Sequence, residues 1–135
     1  MATTRQRNPI SPQADPPRRG EIYLARLFEF PHEDEQAVDK ERPVLILQND
    51  EDNVNPYYPF VIVAPLSTKK MGRVYKQDVA INAKDASLTS DSKILLGIIR
   101  TILKTDLLRK LGKLNRRRME EVNIKLFREL GFLER

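Results

Sequence analysis

KERPVLILQNDEDN, residues 40–53, decides how the chain is read. Val44, Leu45, Ile46 and Leu47 form a continuous apolar run closed by a polar, acidic turn, the pattern of a strand buried on both faces. Pro43 has no N–H, so it is expected at the start of that strand, which then covers residues 43–48. Arg42 stands at its mouth. Either it caps the acids around it, Asp39 and Glu41, or it faces a substrate.

Further strands lie on either side. GEIYLARLFEF (20–30) reads as a first strand, and FPHEDEQAVDKE (30–41) as an acidic, mobile loop too polar for a core. Residues 49–59 read as a loop and FVIVAPLS (60–67) as a third strand ended by Pro65. KKMGRVYKQDVAINA (69–83) gives a loop and then a strand with Val79 and Ile81 on one face. LTSDSKILLGIIRTI (88–102) gives another strand, with Gly97 as a bulge or a point of close approach. NRRRMEEVNIKLFREL (115–130) has Met119, Val122, Leu126 and Leu130 at helical spacing, with Asn115 as N-cap and Gly131 as stop. Short strands followed by a helix predict a mainly β (α+β) domain, a small barrel or curled sheet with an appended helix. Residues 1–17 hold four prolines and no periodic apolar signal, so they read as a disordered tail before one domain over 18–135.

The chain has 135 residues, enough for one core, and its longest apolar runs fall far short of a membrane span. The N-terminus lacks the apolar segment of a secretory signal, and there is no cysteine, so the cytoplasm is the expected compartment. One histidine, His32, leaves a zinc site to be built almost wholly from carboxylates, which is unusual for that metal; no metal or cofactor is expected. Catalysis would have to use Arg, Lys, carboxylates or hydroxyls.

Charge is segregated. Residues 29–41 carry six acids against Lys40, a balance of −5, and residues 100–118 carry eight basic residues against Asp106, a balance of +7. Such separation points to a polyanion such as nucleic acid, or else to a solvated basic face. Arg116, Arg117 and Arg118 sit in the first turn of the helix, where the dipole disfavours cations by about 0.3–1 kcal/mol each. That is either a hint of function or a slightly unfavourable, solvated helix start. Ser67 and Thr68, taken alone, are either turn residues bonding their own backbone or site hydroxyls.

The order GEIYLARL, ERPVLILQND, PFVIVAPLSTK, LTSDSKILLGIIRTI and a closing helix ending in LG, over roughly residues 18–132, resembles the MazF/PemK family of toxin endoribonucleases. The resemblance implies an SH3-like small β-barrel of the MazF/PemK/CcdB type with a C-terminal helix, and a homodimer. It implies metal-independent, sequence-selective cleavage of single-stranded RNA, in which the ribose 2′-OH attacks the adjacent phosphate and leaves 2′,3′-cyclic phosphate and 5′-OH ends. The partner it implies is an acidic antitoxin protein. On this resemblance Arg42 matches the Arg-Pro motif and stabilises the phosphorane, a task suited to a guanidinium's fixed fork of donors. Ser67 falls where the family places a hydroxyl beside the scissile phosphate. Gln48, Asn49, Thr68, Lys69, Lys70, Arg73, Arg100 and Thr101 are the candidate RNA contacts, and His32, Glu35 and Gln36 the candidate loop contributors.

Two departures stand out. Five residues, AVDKE, separate Gln36 from Arg42 where the family commonly has three, and Gly97 and Ile98 replace the polar pair that often precedes the arginine of IRTI. The second departure supports an alternative: a degenerate toxin on the same fold that binds RNA or antitoxin without cleaving. A CcdB-like gyrase poison is a further alternative, though it needs neither Arg42 nor Ser67.

Overall fold

The computed structural model describes residues 15–29 and 38–134. The readings made for residues 1–14 and 30–37, and with them His32, Glu35 and Gln36, lie outside the described residues. The strands are β1 (Glu21–Glu29), β2 (Val38–Ile46), β3 (Phe60–Ser67), β4 (Asp78–Ile81), β5 (Ser92–Leu95), β6 (Arg100–Leu103) and β7 (Leu107–Lys113). The helices are α1 (Asp50–Val54) and α2 (Arg116–Glu129). All strand pairs are antiparallel, in the order β4-β5-β3-β2-β1-β7, with β6 also on β3.

The apolar run at 44–47 is buried on both faces, as its composition requires. Leu45 and Leu47 join Ile22, Leu66, Val79, Ile94 and Val122 in the core under α2, while Val44 and Ile46 join Tyr23, Leu27, Val61 and Val63 in a second core across the sheet. β2 begins at Val38, however, so Pro43 lies inside the strand and not at its start. The backbone explains why this is tolerated. The Ile46 carbonyl faces β1, where it accepts the Gly20 N–H at 2.9 Å, and the Leu47 N–H faces β3. By alternation Pro43 faces the β3 side, where pairing starts only at Val44. No ladder bond is lost.

Pro65 does not end β3 either. The Ile62 carbonyl faces β2, accepting from Leu47 and Gln48, so Pro65 faces the opposite side. There β6 pairs along β3 as far as Val63, and β5 takes over at Leu66. Pro65 occupies the gap where the sheet changes partner.

Three further expectations are corrected. The strand read through 88–102 is two strands joined by a single 3-10 turn, Leu96–Ile98. Gly97 is no point of close approach, because a Cβ there would meet Gln77 at an ordinary 3.8 Å. The close approach is at Gly112, where a Cβ would collide with the Ala86 carbonyl oxygen, on the strand whose register against β1 shifts twice. The expected loop over residues 49–59 contains α1, and the basic segment 100–118 contains β7, a strand its apolar pattern does not announce. Among the described residues β7 pairs only with β1, and its run of cations suits an exposed edge. α1 is one short turn with Asn49 as N-cap and three acids in its first turn.

Of the arginines that open α2, Arg118 is compensated. Asn115 Oδ1 accepts the Arg118 N–H at 2.9 Å, and Arg118 Nε donates to Asp85 Oδ2 at 3.0 Å while Nη1 donates to Glu121 at 2.9 Å. Bonding to Glu121, then to Asp85, pushes the Arg118 pKa up. Gly131 stops the helix at φ 86°, and the Phe132 N–H reaches back to the Phe127 carbonyl at 2.8 Å. Leu130 lies past the last turn and is exposed.

Candidate active site

Arg42 leaves β2 opposite Ala25, two residues before the buried stretch, beginning at Val44, that fixes the strand. Ser67 ends β3, paired with Lys93 of β5. These two residues, from different strands, line the same two adjoining cavities. The larger, about 620 Å³, opens beside the gap at Pro65 and brings Arg42 and Ser67 together with Arg100, Leu95 and Ile98. The smaller, about 360 Å³, adds Thr68, Lys69, Lys40, Glu41 and Ser92. Among the described residues the cleft is therefore rich in cations, with Glu41 as its one acid. Such a surface suits an anion.

Ser67 has a defined hydrogen-bond state. Its Oγ accepts the Lys69 N–H at 3.1 Å, the turn bond expected of a serine at a strand end. A hydroxyl that accepts this bond still has a proton to donate.

The loop that follows is held by a residue that sequence reasoning missed. Lys93 is only 6% exposed, and its Nζ donates to the Lys70 carbonyl at 3.0 Å and the Arg73 carbonyl at 2.6 Å. Lys70 itself adopts φ 53°, and its carbonyl also accepts the Arg73 N–H at 2.9 Å. Lys93 thus fixes the backbone carrying Lys69 from the strand next to Ser67. A lysine within the apolar β5 was the available signal, since a buried ammonium must find acceptors.

The remaining expected contacts divide. Thr68, Lys69 and Arg100 line the cleft with Arg42. Lys70 and Arg73 line neither cavity, and their carbonyls are held by Lys93. Thr101 lies on β6 opposite Ile62, outside both cavities. Gln48 and Asn49 are not brought to it. Gln48 is six residues beyond Arg42, about 20 Å along an extended chain. Its buried Nε2 donates to Asn53 Oδ1 at 3.1 Å and the Phe60 carbonyl at 2.8 Å. Asn49 Oδ1 accepts the Asp52 N–H at 2.8 Å as the cap of α1.

The +7 segment is likewise not one open field. Lys104 is buried, with Nζ donating to the Asp52 and Asn55 carbonyls, and burial lowers its pKa. Lys110 pairs with Glu21 at 2.9 Å, Arg116 with Glu120 at 3.5 Å, and Arg118 with Asp85. At least four of the eight cations, Lys104, Lys110, Arg116 and Arg118, therefore have internal partners. Among the described residues no cluster of His, Cys, Asp or Glu could hold a metal ion, and no helix is long and apolar enough to cross a membrane.

A family model described as PemK-like, MazF-like toxin of type II toxin–antitoxin system matches residues 18–129. The chain is 38% identical over 114 residues to Endoribonuclease MazF of Staphylococcus saprophyticus subsp. saprophyticus, covering 84% of this chain and 91% of that protein. It superposes on Mycobacterium tuberculosis toxin MazF-mt6 with a TM-score of 0.65 and 27% identity, covering 85% and 99% of the two chains. A mycobacterial endoribonuclease solved in complex with its cognate antitoxin gives a TM-score of 0.66 and 25% identity, covering 88% and 99%.

Proposed function

Because the chain belongs to the PemK-like, MazF-like toxin family of type II toxin–antitoxin systems, we propose that it cleaves single-stranded RNA at the cleft shared by Arg42 and Ser67. The 2′-hydroxyl of a ribose gives up its proton as its oxygen forms a bond to the adjacent phosphorus, the bond from phosphorus to the 5′-oxygen breaks, and that oxygen takes up a proton and leaves as a 5′-OH, so no proton is consumed overall. The other product end is a 2′,3′-cyclic phosphate. Negative charge gathers on the non-bridging oxygens of the phosphorane, and preorganised cationic donors stabilise it more than the ground state. Arg42 supplies that charge, Ser67 donates its hydroxyl proton as a hydrogen bond, and Lys69 and Arg100 hold the neighbouring phosphates.

The observation that carries this reading is the convergence of Arg42 and Ser67, from β2 and β3, on two adjoining cavities that also contain Arg100 and Lys69. Two partners go with it. An acidic antitoxin matches the cations of the cleft. A second copy of the chain would cover the exposed apolar face of β3 and β6, where Phe60, Ile62 and Leu103 are 38–44% exposed.

Purified protein incubated with mixed-sequence single-stranded RNA and excess EDTA should yield fragments with cyclic-phosphate and 5′-OH ends. Intact RNA, from folded protein that still retards it on a gel, would favour the second reading: an RNA- or antitoxin-binding protein without cleavage. Ile98 favours that reading, since it places an exposed apolar side chain on the wall of the cleft.

A further inference from the structure

A third cavity, of about 360 Å³, adjoins the cleft and shares Leu95 and Ile98 with it. Its other walls are Tyr75, Gln77, Asp78 and Gly97. We propose that this cavity is a nucleobase subsite, with Tyr75 and Ile98 stacking an unpaired base and the Gln77 carboxamide reading its edge; the proposal rests on RNA being the substrate.

The turn that presents these groups is rigid. The Tyr75 N–H donates to Asp78 Oδ2 at 2.9 Å, the Asp78 N–H donates back to the Tyr75 carbonyl at 2.9 Å, and Lys125 Nζ holds the Asp78 carbonyl at 2.8 Å. Yet Tyr75 is 58% exposed and Ile98 56%. A braced turn carrying an uncovered aromatic ring beside a cationic cleft is a stacking platform, and every base has a π-face for it. Asp78 is 4% exposed and already accepts the Tyr75 N–H, so edge reading falls to Gln77. Its amide offers a donor and an acceptor side by side, the pattern found on the edges of unpaired bases.

Gly97 gives this arrangement its sense. The Gln77 side chain lies against it, with Cβ and Cγ both 3.8 Å from where a Cβ on residue 97 would be. A longer side chain at 97 would compete for the place Gln77 occupies. The polar function missing from 97 and 98 is thus supplied from the neighbouring turn.

The test uses 2′-O-methyl oligoribonucleotides, which lack the attacking hydroxyl, with each base varied in turn and binding followed by fluorescence anisotropy. Tyr75→Ala should weaken binding about 5- to 100-fold, the range set by loss of one base–aromatic stack, and Tyr75→Phe should bind like the wild type. Gln77→Glu should change the preferred base at one position and leave the others as they were. Variants that bind every oligonucleotide as the wild type does would overturn the subsite. A parallel incubation with unmodified RNA separates the two ideas. Wild-type binding without cleavage, together with the expected losses in the variants, would keep the subsite and remove the catalytic reading. No binding of RNA at all would overturn both.

Discussion

Ser67 and Lys93 face each other across β3 and β5, and the buried ammonium of Lys93 holds the Lys70 and Arg73 carbonyls of the loop that Ser67 begins. Lys93→Met leaves both carbonyls without their charged donor. Stability should fall by about 1.5–3 kcal/mol, the scale of hydrogen bonds to a charged group. Urea titration would measure this, and cleavage should drop alongside because Lys69 loses its fixed backbone. Unchanged stability would mean that the loop has other supports.

Ser67→Ala removes a single hydrogen bond to a charged group, about 1.5–3 kcal/mol, so kcat/KM should fall roughly 10- to 150-fold. Ser67→Thr keeps the hydroxyl and should retain most of the rate. Steady-state kinetics on one defined RNA would decide. If Ser67→Ala cleaves as fast as the wild type, the hydroxyl is only a turn residue bonding the Lys69 N–H.

Asp85 ties the 3-10 turn Ala83–Asp85 to α2. Its carboxyl is held below the usual carboxylate range, chiefly by the Asn82 N–H and then by Arg118 and Asn115. A depressed folded pKa contributes stability that is complete above the unfolded value, about 3.9, and is lost as pH falls through the folded value. Urea midpoints should therefore decline on acidification below about pH 4, and Asp85→Asn should flatten that decline while lowering the midpoint at neutral pH. An equal acid slope in the variant would assign the effect to other carboxylates.

The two glycines make opposite predictions. Gly112→Ala forces a Cβ into the Ala86 carbonyl oxygen and should destabilise by about 1–3 kcal/mol or prevent folding. Gly97→Ala meets only ordinary contacts and should shift stability by no more than about 0.5 kcal/mol. Thermal melts of the pair would show whether the constraint lies where the backbone places it.

These glycines also show where a sequence stops being legible. The apolar run at 44–47, the Val79 and Ile81 face, and the Asn115 cap with its Gly131 stop could each be read locally, because period and cap chemistry act within a few residues. Pro43 and Pro65 lie inside strands, against local expectation, because a missing N–H matters only on the side where a partner lies, and pairing is not local. β7 escaped because an edge strand needs few apolar residues. At the cleft, motif order points to Arg42, Ser67 and Arg100, and the structure places Thr68 and Lys69 beside them. Gln48 and Asn49 fell away because both serve the turn around α1. Lys93 and Gln77 were invisible, since their use depends on strand pairing across more than fifteen residues and on a turn folded against Gly97.

The central claim is that Arg42 is the catalytic cation and not a cap for its acidic neighbours. Arg42→Ala, compared with wild type on one RNA in EDTA with a thermal melt recorded in parallel, tests it most directly. The account predicts a loss of kcat of about 100-fold or more, the scale for removing a preorganised transition-state donor, with a melting temperature within a few degrees of wild type. A folded Arg42→Ala protein that cleaves at the wild-type rate would contradict it.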